Sequence, residues 1–272
     1  MTRIKALLLT FGMFLLINSS TQGQDSQKRV WKGKRCAVCL TYDDGLDVHL
    51  KNVIRVLDSL GIKGTFNLMG FSLQGHIDDW RAVAAKGHEL GNHSLFHPCN
   101  GQLEGRGWVK TEYDLMHYSF ARIIDEIRMQ NILLEAVDGK SQRTYAYPCG
   151  DLMVGDSSYV DKIKDYVIAG RGSQKKIEQI DKVNLYNIGS YGVVTGETAD
   201  DLIREVKNAM ASGGLIVIQF HGVGGGHSID IPKSEHDKFV RFLKQNEKDI
   251  WISTFLEIAQ YIKEYNKMKP DR

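Results

Sequence analysis

Short apolar runs alternating with amphipathic stretches dominate this chain, and no other feature limits its fold as strongly. Cys36–Tyr42 and Gly64–Leu68 have strand length, while Val53, Val56, Leu57 and Leu60 recur between them at helical spacing, with Gly61 as the stop. The order continues with an amphipathic stretch over 77–86, a short run at Glu89–Asn92 and a long helix expected over 112–135. Strands are expected at Thr144–Tyr147, Tyr166–Ala169 and Leu215–Phe220, and a last helix over 255–267. Glycines and short polar links separate these pieces, without a Pro/Ser-rich linker or an internal repeat. The pattern predicts an α/β fold, a single-domain distorted (β/α) barrel of seven or eight mostly parallel strands. Such barrels gather reactive groups where strands end, so the polar residues that follow apolar runs are the ones to test.

A length of 272 residues suits one such barrel, and 42% apolar with 25% charged residues excludes a disordered tail or a multi-pass membrane protein. Arg3 and Lys5 precede the apolar run Ala6–Ile17 and the small, polar Asn18–Gly23. Residues 1–23 therefore read as a signal peptide, 24–272 as the domain, and the protein as exported, periplasmic or extracellular. The apolar run is twelve residues, against the roughly 20 that span a bilayer, so no stable membrane insertion is expected after cleavage. Cleavage leaves 33 basic against 33 acidic residues, a balance not suited to nucleic acid. Cys36 and Cys39 lie three apart on a strand, so they point to opposite faces and read as buried packing thiols. Cys99 and Cys149 each follow a proline, and both a disulfide between them and two free thiols fit the sequence.

Three segments place ionisable groups at a strand end or in a short loop. Thr41-Tyr42-Asp43-Asp44-Gly45 puts two carboxylates at the end of a strand, one able to hold a cation while its neighbour stays free to take a proton. His93 and His97 are four apart, which on one helical turn brings both imidazoles to one face. A zincin protease would need Glu after the first histidine, where Ser94 stands. Leu215–Phe220 delivers His221 to its end. A divalent ion on Asp44, His93 and His97 would keep an open position, with Asp43 as base and His221 as acid.

In this order the segments resemble the NodB-homology polysaccharide deacetylases, carbohydrate esterase family four, over about residues 35–265. The family's Thr-Phe-Asp-Asp-Gly, His-Ser/Thr-x-x-His and Leu-x-His motifs match Thr41–Gly45, His93–His97 and Gln219-Phe220-His221, with Tyr42 for Phe and Gln219 for Leu. The resemblance implies a metal on Asp44, His93 and His97, Asp43 as general base, and His221 as the acid that protonates the leaving group. Tyr145–Gly150 stands where the family has Arg-x-Pro-Tyr-Gly, with Ala146 in place of the arginine and Cys149 in place of the aromatic. The implied oxyanion donor is the backbone N–H of Cys149, which does not depend on the side chain. Arg171 is a candidate for the missing charge. The family's acid-orienting aspartate has no clear match; Asp151 and Asp156 lie near the loop and otherwise read as solvated turns. The expected substrate is an acetylated carbohydrate, with Tyr147, Trp108 and His227 as candidate contacts. The expected cofactor is one divalent ion, Zn2+ before Co2+ or Ni2+. The loop Gly222–His227 lacks a P-loop's Lys-Ser/Thr and reads as a flexible rim segment. N-deacetylation of an N-acetylglucosamine polymer leads; an O-acetyl (acetylxylan-type) esterase, a sugar-binding relative without turnover and a small-molecule amidase are the rivals.

Overall fold

The structure is a computed structural model describing residues 29–268, so the expected signal peptide lies outside the described residues. The chain runs β1 (Cys36–Asp43), α1 (Ile54–Leu60), β2 (Thr65–Leu68), α2 (Ile77–Ala85), β3 (Glu89–Asn92), α3 (Phe120–Asp138), β4 (Thr144–Ala146), β5 (Met153–Val154), β6 (Ser157–Ser158) and β7 (Ala169–Arg171). It continues through β8 (Tyr191–Gly192), α4 (Ala199–Ser212), β9 (Leu215–Phe220), β10 (Gly222–Val223), β11 (Asp230–Ile231), α5 (Lys233–Gln245), β12 (Ile250–Ile252) and α6 (Phe255–Lys267). Eight strands form one parallel sheet in the order β7-β4-β3-β2-β1-β9-β8, with β12 beside the first half of β1. The sheet curls: Ile188 bridges to Arg171 at one edge, and three residues later the chain enters β8 beside β9 at the other. The expected distorted barrel is the fold. Among the described residues no helix is long and apolar enough to cross a membrane.

β1 shows why the barrel presents its chemistry at one end. Every residue of the strand is buried, as a parallel strand covered on both faces requires. Cys36, Val38, Leu40 and Tyr42 face the main core, and Tyr42 stacks between Phe66 and Phe220 at 5.0 and 5.2 Å. The alternate set, Ala37, Cys39, Thr41 and Asp43, passes from apolar to acidic along the strand. Ala37 and Cys39 pack with Trp31, Trp251 and Phe255 of a second cluster, so the two free thiols lie on opposite faces. One layer above, Glu89 accepts hydrogen bonds from Thr65, Thr144 and the Leu256 N–H, fastening β2, β4 and the start of α6 together.

Three expected elements differ. The long helix starts at Phe120; residues 111–117 form two separate 3-10 turns. Asp114 and Ser119 accept the N–H groups of Met116 and Arg122, and these side-chain caps divide the segment. The strand expected at Tyr166–Ala169 is β7 at Ala169–Arg171, because the Tyr166 and Val167 N–H groups close a turn onto the Ile163 carbonyl. The expected flexible rim segment after His221 is pinned: β10 pairs with β11, and Asp230 accepts the Gly225 N–H.

Candidate active site

Asp43 and Asp44 leave β1 in opposite senses because Asp44 takes a left-handed conformation, φ 73°. Asp43 points inward and is 1% exposed. The register sets Asn67 of β2 beside it, and the Asn67 amide donates to Asp43 Oδ1 at 2.7 Å. Gly91 is the next residue across the sheet, where a Cβ would stand 2.3 Å from Asn67 Oδ1, so only glycine leaves that amide room. Arg171 and Gln219 donate to Asp43 Oδ2 at 2.6 and 2.9 Å. Burial alone raises the Asp43 pKa; the Arg171 guanidinium, with His93 and His221, outweighs it and holds the carboxyl below its ordinary value. Arg171, at the end of β7, thus pairs with the carboxylate for which a compensating charge was expected.

The paired histidines do not lie on a helical turn. Ser94 and His97 have φ 60° and 55°, and a tight loop, not helical periodicity, brings the rings to 4.7 Å. A ladder of hydrogen bonds fixes that loop: His97 N–H to Ser94 Oγ, Ser94 N–H to Asn92 Oδ1, and the Asn92 amide to Ile127 O and Asn131 Oδ1 on α3. His93 is 1% exposed, and its Nδ1 donates to the Ala146 carbonyl at 2.8 Å, which turns Nε2 to Asp44; burial lowers its pKa, but Asp43 and Asp44 outweigh burial and raise it, so a bound cation would displace the Nε2 proton. Both Nε2 atoms stand 3.5 Å from Asp44 Oδ1. Donors about 2.1 Å from a tetrahedral ion stand about 3.4 Å apart, so this carboxylate-bis-imidazole set fits such an ion in spacing as well as in donor chemistry. Burial opposes ionisation of Asp44, but His93 and His97 pull its pKa well down, and burial with the His93 charge presses His97 down to about 4. Both groups are held in the form that binds metal. Cys99 and Cys149 also approach His97, but they form a disulfide and offer no thiolate.

His221 stands across the site, its Nε2 4.0 Å from Asp43 Oδ2. Burial pushes its pKa down and His227 adds to the effect, partly opposed by Asp43 and Asp44; its protonated form is a correspondingly stronger acid. Its Nδ1 is buried with no hydrogen-bond partner among the described residues. Asp151 does not supply one, because it binds Arg106 and the Asn100 N–H, and Asp156 lies on an exposed turn. His227 stacks on His221 at 4.9 Å, and a cleft of about 380 Å³ runs from Asp44 and His97 past His227 to Phe96, Trp108 and Tyr113. Trp108 is 62% exposed at that cleft. Tyr147, expected against substrate, is instead buried among Tyr145 and Tyr159, its hydroxyl donating to the Tyr186 carbonyl.

Sequence reasoning missed Asn67 and assigned Gln219 no role. Asn67 carried a readable signal, a polar residue near the end of the apolar run Thr65–Leu68. Buried His49 was also passed over; it donates Nε2–H to the His221 carbonyl at 2.7 Å while Nδ1 accepts the Leu46 N–H.

A curled parallel barrel whose rim sets a carboxylate and two imidazoles beside a separately held carboxylate places the chain with the polysaccharide deacetylases. Residues 32–166 match the family described as polysaccharide deacetylase, and the chain belongs to that family. It is 27% identical over 199 residues to a gellan lyase of a Bacillus species and 37% identical over 62 residues to a chitooligosaccharide deacetylase of Rhizobium leguminosarum bv. trifolii. These matches take in 72% and 22% of this chain and span 7% and 29% of those proteins. A structure from Mycobacterium smegmatis bearing the name polysaccharide deacetylase superposes with a TM-score of 0.62 at 17% identity, over 88% of this chain and 94% of its own. A family-four pseudoenzyme from Bacillus anthracis superposes with a TM-score of 0.54 at 17% identity, over 82% and 65%. The two structures share the fold.

Proposed function

We propose that the chain is an exported, metal-dependent hydrolase that removes acetyl groups from a carbohydrate, foremost the N-acetyl group of an N-acetylglucosamine-type poly- or oligosaccharide. The observation that carries this reading is the convergence of Asp44, His93 and His97 at metal-binding spacing, with Asp43 held apart on its own donors. The basic-then-apolar N-terminal sequence and the Cys99–Cys149 disulfide support export. Imidazole and carboxylate donors suit Zn2+, with Co2+ and Ni2+ as workable substitutes.

A divalent ion on those three ligands supplies a Lewis acid for the acetyl carbonyl and lowers the pKa of a water. Asp43, ionised and fixed by three side-chain donors, accepts the proton of the attacking water. The Cys149 N–H donates to the carbonyl oxygen as that oxygen gains charge. His221 gives a proton from Nε2 to the departing nitrogen, and His49 holds its backbone. The cleft toward Trp108 gives the sugar chain an aromatic face to lie on.

The Nδ1 of His221, unpartnered among the described residues, favours one second reading, an O-acetyl esterase, because an alkoxide leaves more easily than an amine and asks less of the acid. Acetate release from N-acetylated chitooligosaccharides beside acetylated xylan separates the two. Asp44→Asn and His93→Ala are expected to lose bound metal and activity together. Asp43→Asn is expected to keep the metal and lose roughly 10²- to 10⁴-fold in kcat; full activity in that variant would remove Asp43 from the mechanism. Wild type that binds zinc but releases no acetate from any acetylated glycan would mark a binding relative without turnover.

A further inference from the structure

We propose that the Cys99–Cys149 disulfide and Arg106 are positioning residues that lock the backbone donor at Cys149 to the loop carrying His97. This rests on the reading of the site as a deacetylase. Asp44, Ser94, His97 and Cys149 all combine a Cβ with positive φ, and apart from Lys32 they account for every such residue among those described. Residues with a Cβ leave that region readily unless neighbours hold them there. Asp44 is held by the sheet behind it, and Ser94 and His97 by their hydrogen-bonded ladder. Cys149, at φ 54° and ψ 7°, sits in a short turn closed by the Gly150 N–H on the Tyr147 carbonyl and the Asp151 N–H on the Pro148 carbonyl; neither bond uses its own side chain or carbonyl.

What holds that side chain and carbonyl comes from one segment, residues 99–106. The disulfide ties the Cys149 side chain to Cys99, two residues beyond His97, and Cys99 Sγ lies 3.7 Å from His97 Nδ1. Arg106 donates to the Cys149 carbonyl at 3.2 Å and to the Asn100 carbonyl at 3.4 Å, and pairs with Asp151. Asp151 also accepts the Asn100 N–H at 2.7 Å. Side chain and carbonyl of Cys149 are thus both fixed, so its N–H direction is set from two sides. The same segment leads into Trp108, Lys110 and Tyr113 on the cleft wall, so the clamp joins that wall, a proposed metal ligand and the proposed oxyanion donor. Neither the disulfide nor the guanidinium needs to touch substrate for this.

The test uses the full chain with Cys99→Ala/Cys149→Ala and, separately, Arg106→Ala. Both variants keep the Cys149 peptide and lose only what fixes it; far-UV circular dichroism confirms the fold. A donor that acts on the transition state is expected to lower kcat by roughly tenfold or more when misaligned, with KM changed by less than about threefold. Cobalt affinity, read from the visible spectrum of Co2+ titrated into metal-free protein, is expected to weaken about tenfold in the disulfide variant as His97 loses its anchor. Folded variants that both keep kcat within about twofold of wild type overturn the proposal. If wild type releases no acetate, the functional reading fails separately, and cobalt decides the clamp: unchanged affinity in the disulfide variant overturns it, and about tenfold weakening sustains it.

Discussion

Asp43 is an ionised carboxylate in a nearly dry place, and its partner shares the burial: the side chains of Arg171 and Asp43 are 1% and 2% exposed. Removing either partner strands a charge, which costs about 3–5 kcal/mol, whereas removing both leaves polar groups alone. Arg171→Met and Asp43→Asn are therefore each expected to destabilise strongly, and the double variant by less than their sum. Urea unfolding of the four proteins checks this, and strict additivity would show that the pair is not coupled. The side chains proposed to carry the chemistry, Asp43, Asp44, His93, His97 and His221, were legible because each follows an apolar run or sits at metal-ligand spacing. Their supporting partners were not. Arg171 was readable only as a charge near a strand end, and Asn67 and Gln219 matter through a register that alternation alone does not fix.

At the scale of elements, long apolar periodicities read correctly while boundaries set by side chains did not. β1, α1, β9 and α6 lie where their patterns place them, within a few residues. α3 began late because Asp114 and Ser119 cap what precedes it. Helices α4 and α5, rich in charge on their outer faces, went unassigned, although the Thr198–Asp201 capping box marks the start of α4 plainly. Glu89 is the polar residue that joins elements. Replacing it with Ala leaves two buried hydroxyls and the Leu256 N–H without their acceptor, an expected loss of about 3 kcal/mol. Thr198→Ala, on the surface, is expected to cost about 1 kcal/mol. Denaturant midpoints showing equal losses would deny Glu89 its joining role.

The molecule as a whole carries a buried titration in His49. Burial lowers its pKa to about 4, and the bond to the His221 carbonyl opposes that only in part. An unfolded histidine titrates near 6.5, so between the two values the unfolded chain binds the extra proton and stability falls as pH falls. The contribution is fully present above about pH 6.5 and diminishes by about 3 kcal/mol toward pH 4. His97, also held down to about 4, acts in the same sense, so the comparison is with His49→Gln. The stability gap between wild type and that variant is expected to shrink from pH 7 to pH 4; a constant gap would refute the assignment.

β1 has neighbours along its entire length, β9 on one side and β12 followed by β2 on the other. The acids therefore stand at the tip of the most thoroughly cross-linked strand of the barrel. Warming has no easy way to loosen them ahead of everything else, so inactivation and melting curves should superimpose, and catalysis should persist until the fold itself gives way.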